Sequence, residues 1–309
     1  MLRLLFFFCR NFALSEDHWY IICSIIKELV TIINSTLFNM KKLINIVFVL
    51  TACIQLSAQK IIHQEIFSPK MNKKIKTVII TPNLQPNTTY PSVYILHGFS
   101  GNPDRIIKQD IPDLVKKAQE LKTIYVLPDG NYSSWYVDSP IVKDSQYQTF
   151  IGKELVEFID KNYPVKAEKK FRGILGWSMG GYGAINIGVT YNKTFGIVGS
   201  SCGALDFNSF GEGYQKYMVN KVLGPLQSIN PNFLTDSKIK LMAGADQQYI
   251  FDCGTEDTQM INMNRNFHKK LTEMKLQHLY TESLGGHVPE YWSRSLSEQL
   301  SLFDRFFKQ

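Results

Sequence analysis

Cysteine is scarce in this chain, with five in 309 residues. That is too few for a disulfide framework, and none sits with histidine at zinc-ligand spacing, so neither a structural metal nor any cofactor is expected. Linkers rich in Gly, Ser or Pro, internal repeats and low-complexity tracts are all missing beyond residue 58, which argues against tethered domains or a disordered tail. No uncharged apolar run reaches the roughly 20 residues that a membrane-spanning helix needs. The formal charge of +7 is not concentrated, since lysines cluster only at Lys73 to Lys76 and Lys166 to Lys170. Such scattered charge reads as solvated faces, and no nucleic-acid partner is expected. What remains is 44% hydrophobic and 13% aromatic, enough to bury a large core.

Met40-Lys41-Lys42 precedes the apolar run Leu43 to Leu50, and Leu56-Ser57-Ala58 follows as a small-residue site. A short positive stretch, an apolar run and small residues in that order make a secretory signal peptide, cleaved after Ala58. Residues 1–39 then read as an irregular upstream extension from a misassigned start codon, with the true start at Met40. Two alternatives stay open: residues 43–57 as an uncleaved anchor, or Leu50-Thr51-Ala52-Cys53 as a lipobox that leaves a lipoprotein anchored at Cys53. The expected mature chain, 59–309, is one secreted or periplasmic domain with no membrane span and no indicated oligomeric state. It keeps 29 Lys and Arg against 24 Asp and Glu. Of the cysteines only Cys202 and Cys253 survive, as small buried hydrophobes, with a bridge between them open in an oxidising compartment.

In the mature chain, short β-branched or aromatic runs alternate with longer stretches of helical period. Strands are predicted at 75–81, 92–96, 123–127, 171–175, 195–200, 248–252 and 278–282, and helices at 104–121, 150–163, 179–191, 261–275 and 290–307. This alternation implies an α/β fold with a mostly parallel sheet covered on both faces, whose ligand sites lie at the carboxyl ends of the strands. The stretch 204–245 has no clear place in the pattern and reads as a small insertion over that edge.

Gly176-Trp177-Ser178-Met179-Gly180-Gly181 falls between a predicted strand and a predicted helix. A serine nucleophile must project from a sharp strand-to-helix turn where bulky neighbours would strike backbone, which explains the flanking glycines. A serine hydroxyl needs a histidine base, and that base needs an acid, in the chain order Ser, Asp or Glu, His. Of the later histidines, His268 lies inside a helix and His278 opens a strand, which leaves His287 in Gly285-Gly286-His287. For the acid, Asp257 at the start of a loop-to-helix turn is preferred to Glu256, a helix-capping or exposed acid, and to Asp252, still within its strand. The amides of Met179, at a helix N-terminus, and of Phe99, in the glycine-rich loop after Leu96, are candidate oxyanion donors. His97 reads as a structural hydrogen-bonder beside that loop. Phe99, Trp135, Tyr136, Trp177, Tyr182 and Trp292 lie near these loops and are candidates for substrate binding.

Five blocks in order resemble the putative esterase family of α/β hydrolases: His97-Gly98-x-x-Gly101, Leu127-Pro128-Asp129-Gly130, Gly176-x-Ser178-Met179-Gly180-Gly181, Cys253-Gly254-Thr255-Glu256-Asp257 and Gly285-Gly286-His287. That family includes S-formylglutathione hydrolases of the esterase D type, tributyrin esterases, feruloyl and acetyl-xylan esterases, and mycolyltransferases. The resemblance spans about residues 62–308 and implies Ser178 as nucleophile, Asp257 as acid, His287 as base, and the amides of Phe99 and Met179 as oxyanion hole. Residues 204–245 match no particular member. The reading is a secreted serine carboxylesterase acting on short-chain or aromatic acyl esters, with a small molecule or plant polysaccharide as alcohol. An acyltransferase using the same acyl-enzyme and a non-catalytic glycan-binding module are the alternatives.

Overall fold

The computed structural model describes residue 20, residues 24–33 and residues 60–309 except position 234. Residues 24–33 are helical, with the Thr31 hydroxyl on the Lys27 carbonyl at 2.8 Å, where the sequence reading expected irregular chain. The expected leader at 40–58, with Cys53, lies outside the described residues. No helix among the described residues is long and apolar enough to cross a membrane.

Eight strands form one sheet in the order β1-β2-β4-β3-β5-β6-β7-β8. They are β1 Lys60–Ser68, β2 Lys73–Thr81, β3 Ser92–Leu96, β4 Ile124–Pro128, β5 Arg172–Trp177, β6 Ile197–Ser201, β7 Gln248–Gly254 and β8 Leu279–Ser283. β2 runs antiparallel to both β1 and β4, and all pairs from β4 to β8 are parallel. β1 was not anticipated, because only one of its faces is buried and its Ile-rich run is broken by His63, Gln64 and Glu65. Every residue of β3, β4, β5 and β6 is buried, which is why apolar residues such as Val93 to Leu96, Ile124 to Leu127, Ile174-Leu175 and Ile197-Val198 follow one another without polar alternation.

The principal helices are α1 Leu114–Glu120, α2 Leu155–Asn162, α3 Met179–Thr190, α4 Thr235–Met242, α5 Ile261–Glu273 and α6 Pro289–Phe307. Glycines report which face each covers. A Cβ on Gly188 of α3 would meet the side chains of Ile174 and Val198, whereas Cβ atoms on Gly173 and Gly199 would meet Phe303 of α6. Successive strand residues therefore point to α3 and to α6 in turn, so the two helices cover opposite faces. The helix expected over 104–121 is split. Pro112 has no N–H and pushes Ile111 to φ −140° and ψ 73°, so α1 starts afresh at Leu114. The stretch 204–245 is a string of short turns and helices ending in α4, which packs on α3.

Phe303 is fully buried and fills the space left open by Gly173 and Gly199. Phe303→Ala is expected to lower the unfolding free energy by about 3–5 kcal/mol in urea titration. A loss below about 1 kcal/mol would mean that α6 does not seal this face.

Candidate active site

Ser178 joins β5 to α3 with φ 55° and ψ −120°, a conformation that a serine holds only when its surroundings enforce it. Its N–H donates to the Ser201 carbonyl at 3.0 Å, and its own carbonyl accepts from the Tyr182 N–H at 3.1 Å. The glycines are required by contact. A Cβ on Gly180 would stand 2.1 Å from the Leu96 oxygen, and one on Gly176 would stand 2.5 Å from the Gly180 oxygen. Without side chains at 176 and 180, the turn closes onto the end of β3 and lifts Ser178 at the carboxyl edge of the sheet.

The loop after β8 brings His287 to this edge. The Ser178 hydroxyl donates to Nε2 of His287 at 2.9 Å, and Nδ1–H of His287 donates to Oδ2 of Asp257 at 2.6 Å. Asp257 is buried, and its Oδ1 accepts from the Met260 N–H at 3.0 Å. Both carboxylate oxygens are thus held, which fixes the plane of the imidazole. Glu256 is exposed. β7 extends two residues beyond its expected end and buries Asp252, which accepts from Ser201, Tyr291, Ser295 and Gln299. Cys202 and Cys253 are free and buried. The Cys202 sulfur lies close to Asp257 and His287, with their ligand atoms all within 4.8 Å of one another.

Phe99 and Met179 flank the serine, and among the described residues neither amide has an acceptor. The loop carrying Phe99 is pinned by His97, whose Nδ1–H donates to the Gly98 carbonyl at 2.8 Å and whose Nε2 accepts from the Gly130 N–H at 2.9 Å. A cavity of about 210 Å³ opens beside the serine, lined by Phe99, Trp177 and Trp292, and also by Arg105 and Tyr217. These last two escaped the sequence reading; Tyr217 comes from the insertion, and its place follows only from the folded chain. Three aromatic expectations are corrected. Trp135, Tyr136 and Tyr182 are at most 2% exposed and do not line the cavity. Positive φ values of 52° and 54° turn Trp135 and Tyr136 inward. There the Trp135 indole N–H donates to the Tyr217 carbonyl at 2.8 Å, and the Tyr136 hydroxyl to the His97 carbonyl at 3.0 Å. The Tyr182 hydroxyl donates to the Phe233 carbonyl at 2.8 Å. These residues brace the wall from behind.

Residues 68–303 match the sequence profile of the family described as putative esterase. The chain belongs to this family. An acetyl esterase of Caldicellulosiruptor saccharolyticus is 30% identical over 259 residues, covering 75% of this chain and 93% of that one. Among solved structures, a ferulic acid esterase matches with a TM-score of 0.68 at 23% identity, covering 81% of this chain and 99% of its own. An S-formylglutathione hydrolase from Staphylococcus aureus matches at 0.67 and 17%, covering 80% and 100%. The chain is therefore a carboxylic ester hydrolase of α/β-hydrolase fold.

In this esterase, burial disfavours a charged His287, but the hydrogen bond to Asp257 and the neighbouring Cys202 outweigh it and raise the imidazole to about 9. The hydrogen bond with Cys253 and burial push the Cys202 thiol well above its usual range. It therefore stays uncharged at neutral pH, and the upward push on His287 there comes from the Asp257 carboxylate. In an NMR pH titration, His287 is expected to lose its proton at a midpoint above 6.5 and no higher than about 9. Asp257→Asn should bring that midpoint down by roughly one unit or more. A wild-type midpoint below 6.5 would contradict the pairing.

Proposed function

We propose that this esterase is an exported serine carboxylesterase that works through an acyl-enzyme on Ser178. The observation that carries the reading is the unbroken run of hydrogen bonds from Asp257 through His287 to Ser178, at 2.6 and 2.9 Å, beside two amides that have no acceptor among the described residues. In the first half-reaction His287 Nε2 takes the serine proton as Oγ bonds to the ester carbonyl carbon. The carbonyl electrons move to oxygen, which the amides of Phe99 and Met179 receive. Collapse of this intermediate expels the alcohol, which leaves with the proton from His287. Water, deprotonated by the same imidazole, then attacks the acyl group and regenerates Ser178. Asp257 holds the Nδ1–H tautomer and stabilises the imidazolium in both halves.

The acyl group is short or aromatic and the alcohol is a small molecule or plant polysaccharide. A small cavity edged by Phe99, Trp177, Tyr217 and Trp292 supports this substrate class, because such rings stack on sugar and phenolic faces. The acetyl and ferulic acid esterases among the similar proteins support it as well. Export is supported by the positive, apolar and small-residue pattern of 40–58.

The chain starting at Gln59 should hydrolyse p-nitrophenyl acetate, and Ser178→Ala should lower kcat/KM by at least ~10³. Activity retained in that variant would rule out the mechanism. Turnover of acetyl, butyryl and feruloyl esters and of acetylated xylan by the same preparation then ranks the acyl groups.

A further inference from the structure

The cavity carries one charge that neither the Asp257–His287–Ser178 line nor the two amides explain. Arg105 lines the same cavity as Ser178 and His287, and its side chain remains 31% exposed. Its main chain is fixed, because the Arg105 N–H donates to the Asn102 side chain at 3.0 Å, in the loop that also carries Phe99. Behind it lies the fully buried Asp110, with Oδ2 3.3 Å from Arg105 Nε. Both Asp110 oxygens are buried with no hydrogen bond among the described residues, so this arginine is the group that offsets the buried carboxylate.

The ion pair with Asp110 is made through the inner nitrogen, Nε, at 3.3 Å and without hydrogen-bond geometry. No described residue accepts from its two terminal nitrogens, and neither is among the buried unpartnered atoms. The Arg105 fork is therefore held from behind and left open to solvent in front. Trp292, which lines the same cavity, has a buried Nε1–H that also has no acceptor among the described residues. The exposed terminal donors of Arg105 are free to exchange water for a ligand that brings charged acceptors. A planar guanidinium with two open N–H edges matches a carboxylate in bidentate fashion.

We propose that Arg105 selects esters that also carry a carboxylate, which docks on its terminal nitrogens while the ester carbonyl meets Ser178. This rests on the esterase reading above and narrows it to anionic substrates, such as acylated uronic acids or half-esters of diacids. The acid sits on the alcohol in the first kind and on the acyl group in the second.

Two matched pairs test the proposal. 4-Acetoxybenzoate and 4-acetoxybenzamide share the acetyl group and differ in charge on the alcohol side. Hemisuccinate and succinamate esters of one alcohol differ in charge on the acyl side. For each pair the readout is the ratio of kcat/KM for acid over amide, corrected for the uncatalysed rates. The wild-type ratio should exceed one in one of the pairs, which identifies the side that bears the anion. Arg105→Gln should lower that ratio by roughly tenfold or more, as expected for a lost charge-assisted hydrogen bond, mainly through KM. Arg105→Lys should restore part of it. Because each ratio is taken on one preparation, partial unfolding of a variant cancels. Ratios of one or below in both wild-type pairs, or a ratio unchanged in Arg105→Gln, would overturn the proposal. Failure of the wild type to hydrolyse either member of both pairs would strike at the esterase reading itself.

Discussion

The site depends on a contact between two stretches of backbone. Where α3 begins, the chain at Gly180 presses against the Leu96 carbonyl so closely that one added carbon would stand 2.1 Å from that oxygen. This approach brings the end of β5 against the end of β3, and so sets Ser178 and the Met179 amide beside the loop bearing Phe99. The strained serine backbone is held by the carbonyl of Ser201 in the adjacent strand. Parallel register carries the order outward: Ser201 pairs with Asp252, and Asp252 with Thr281. The loops that carry Asp257 and His287 thus leave the same edge as Ser178.

Two carboxylates near the end of β7 show how partners separate their roles. Asp252 is buried and raised in pKa by that burial, while donors from Ser201, Tyr291, Ser295 and Gln299 stabilise its charge. It ties α6 to the sheet and has no free oxygen for chemistry. Asp257 instead spends one oxygen on the Met260 amide and the other on His287. The tie through Asp252 also reaches His287, since α6 holds Trp292 edge-on to the His287 ring with centroids 5.1 Å apart.

The parts legible in the sequence were those where one residue type alone satisfies a local demand. Glycines at 176 and 180 announce the turn, and chain order with element type narrows the histidines to His287. Asp257 was separable from Asp252 because a strand residue cannot swing toward a loop. The aromatic assignments failed for Trp135 and Tyr136, since nearness in sequence says nothing of direction at a positive φ, and for Tyr182, whose place on α3 turns its ring into the core with its hydroxyl on the Phe233 carbonyl. Arg105 and Tyr217 were invisible for a related reason. One sits in the helical turn ahead of the break at Pro112 and the other in an insertion of short turns, and only tertiary packing brings both to the cavity. The break at Pro112 was readable, but the helical period on either side of it masked the stop.

The central claim is that His287 and Asp257 make the Ser178 hydroxyl nucleophilic. The most direct measurement is the intact mass of the protein after exposure to a fluorophosphonate, followed by peptide mapping. The account predicts a single adduct on Ser178, formed rapidly in the wild type and suppressed in His287→Ala. An adduct on another residue, or equal labelling of Ser178 once the imidazole is gone, would contradict it.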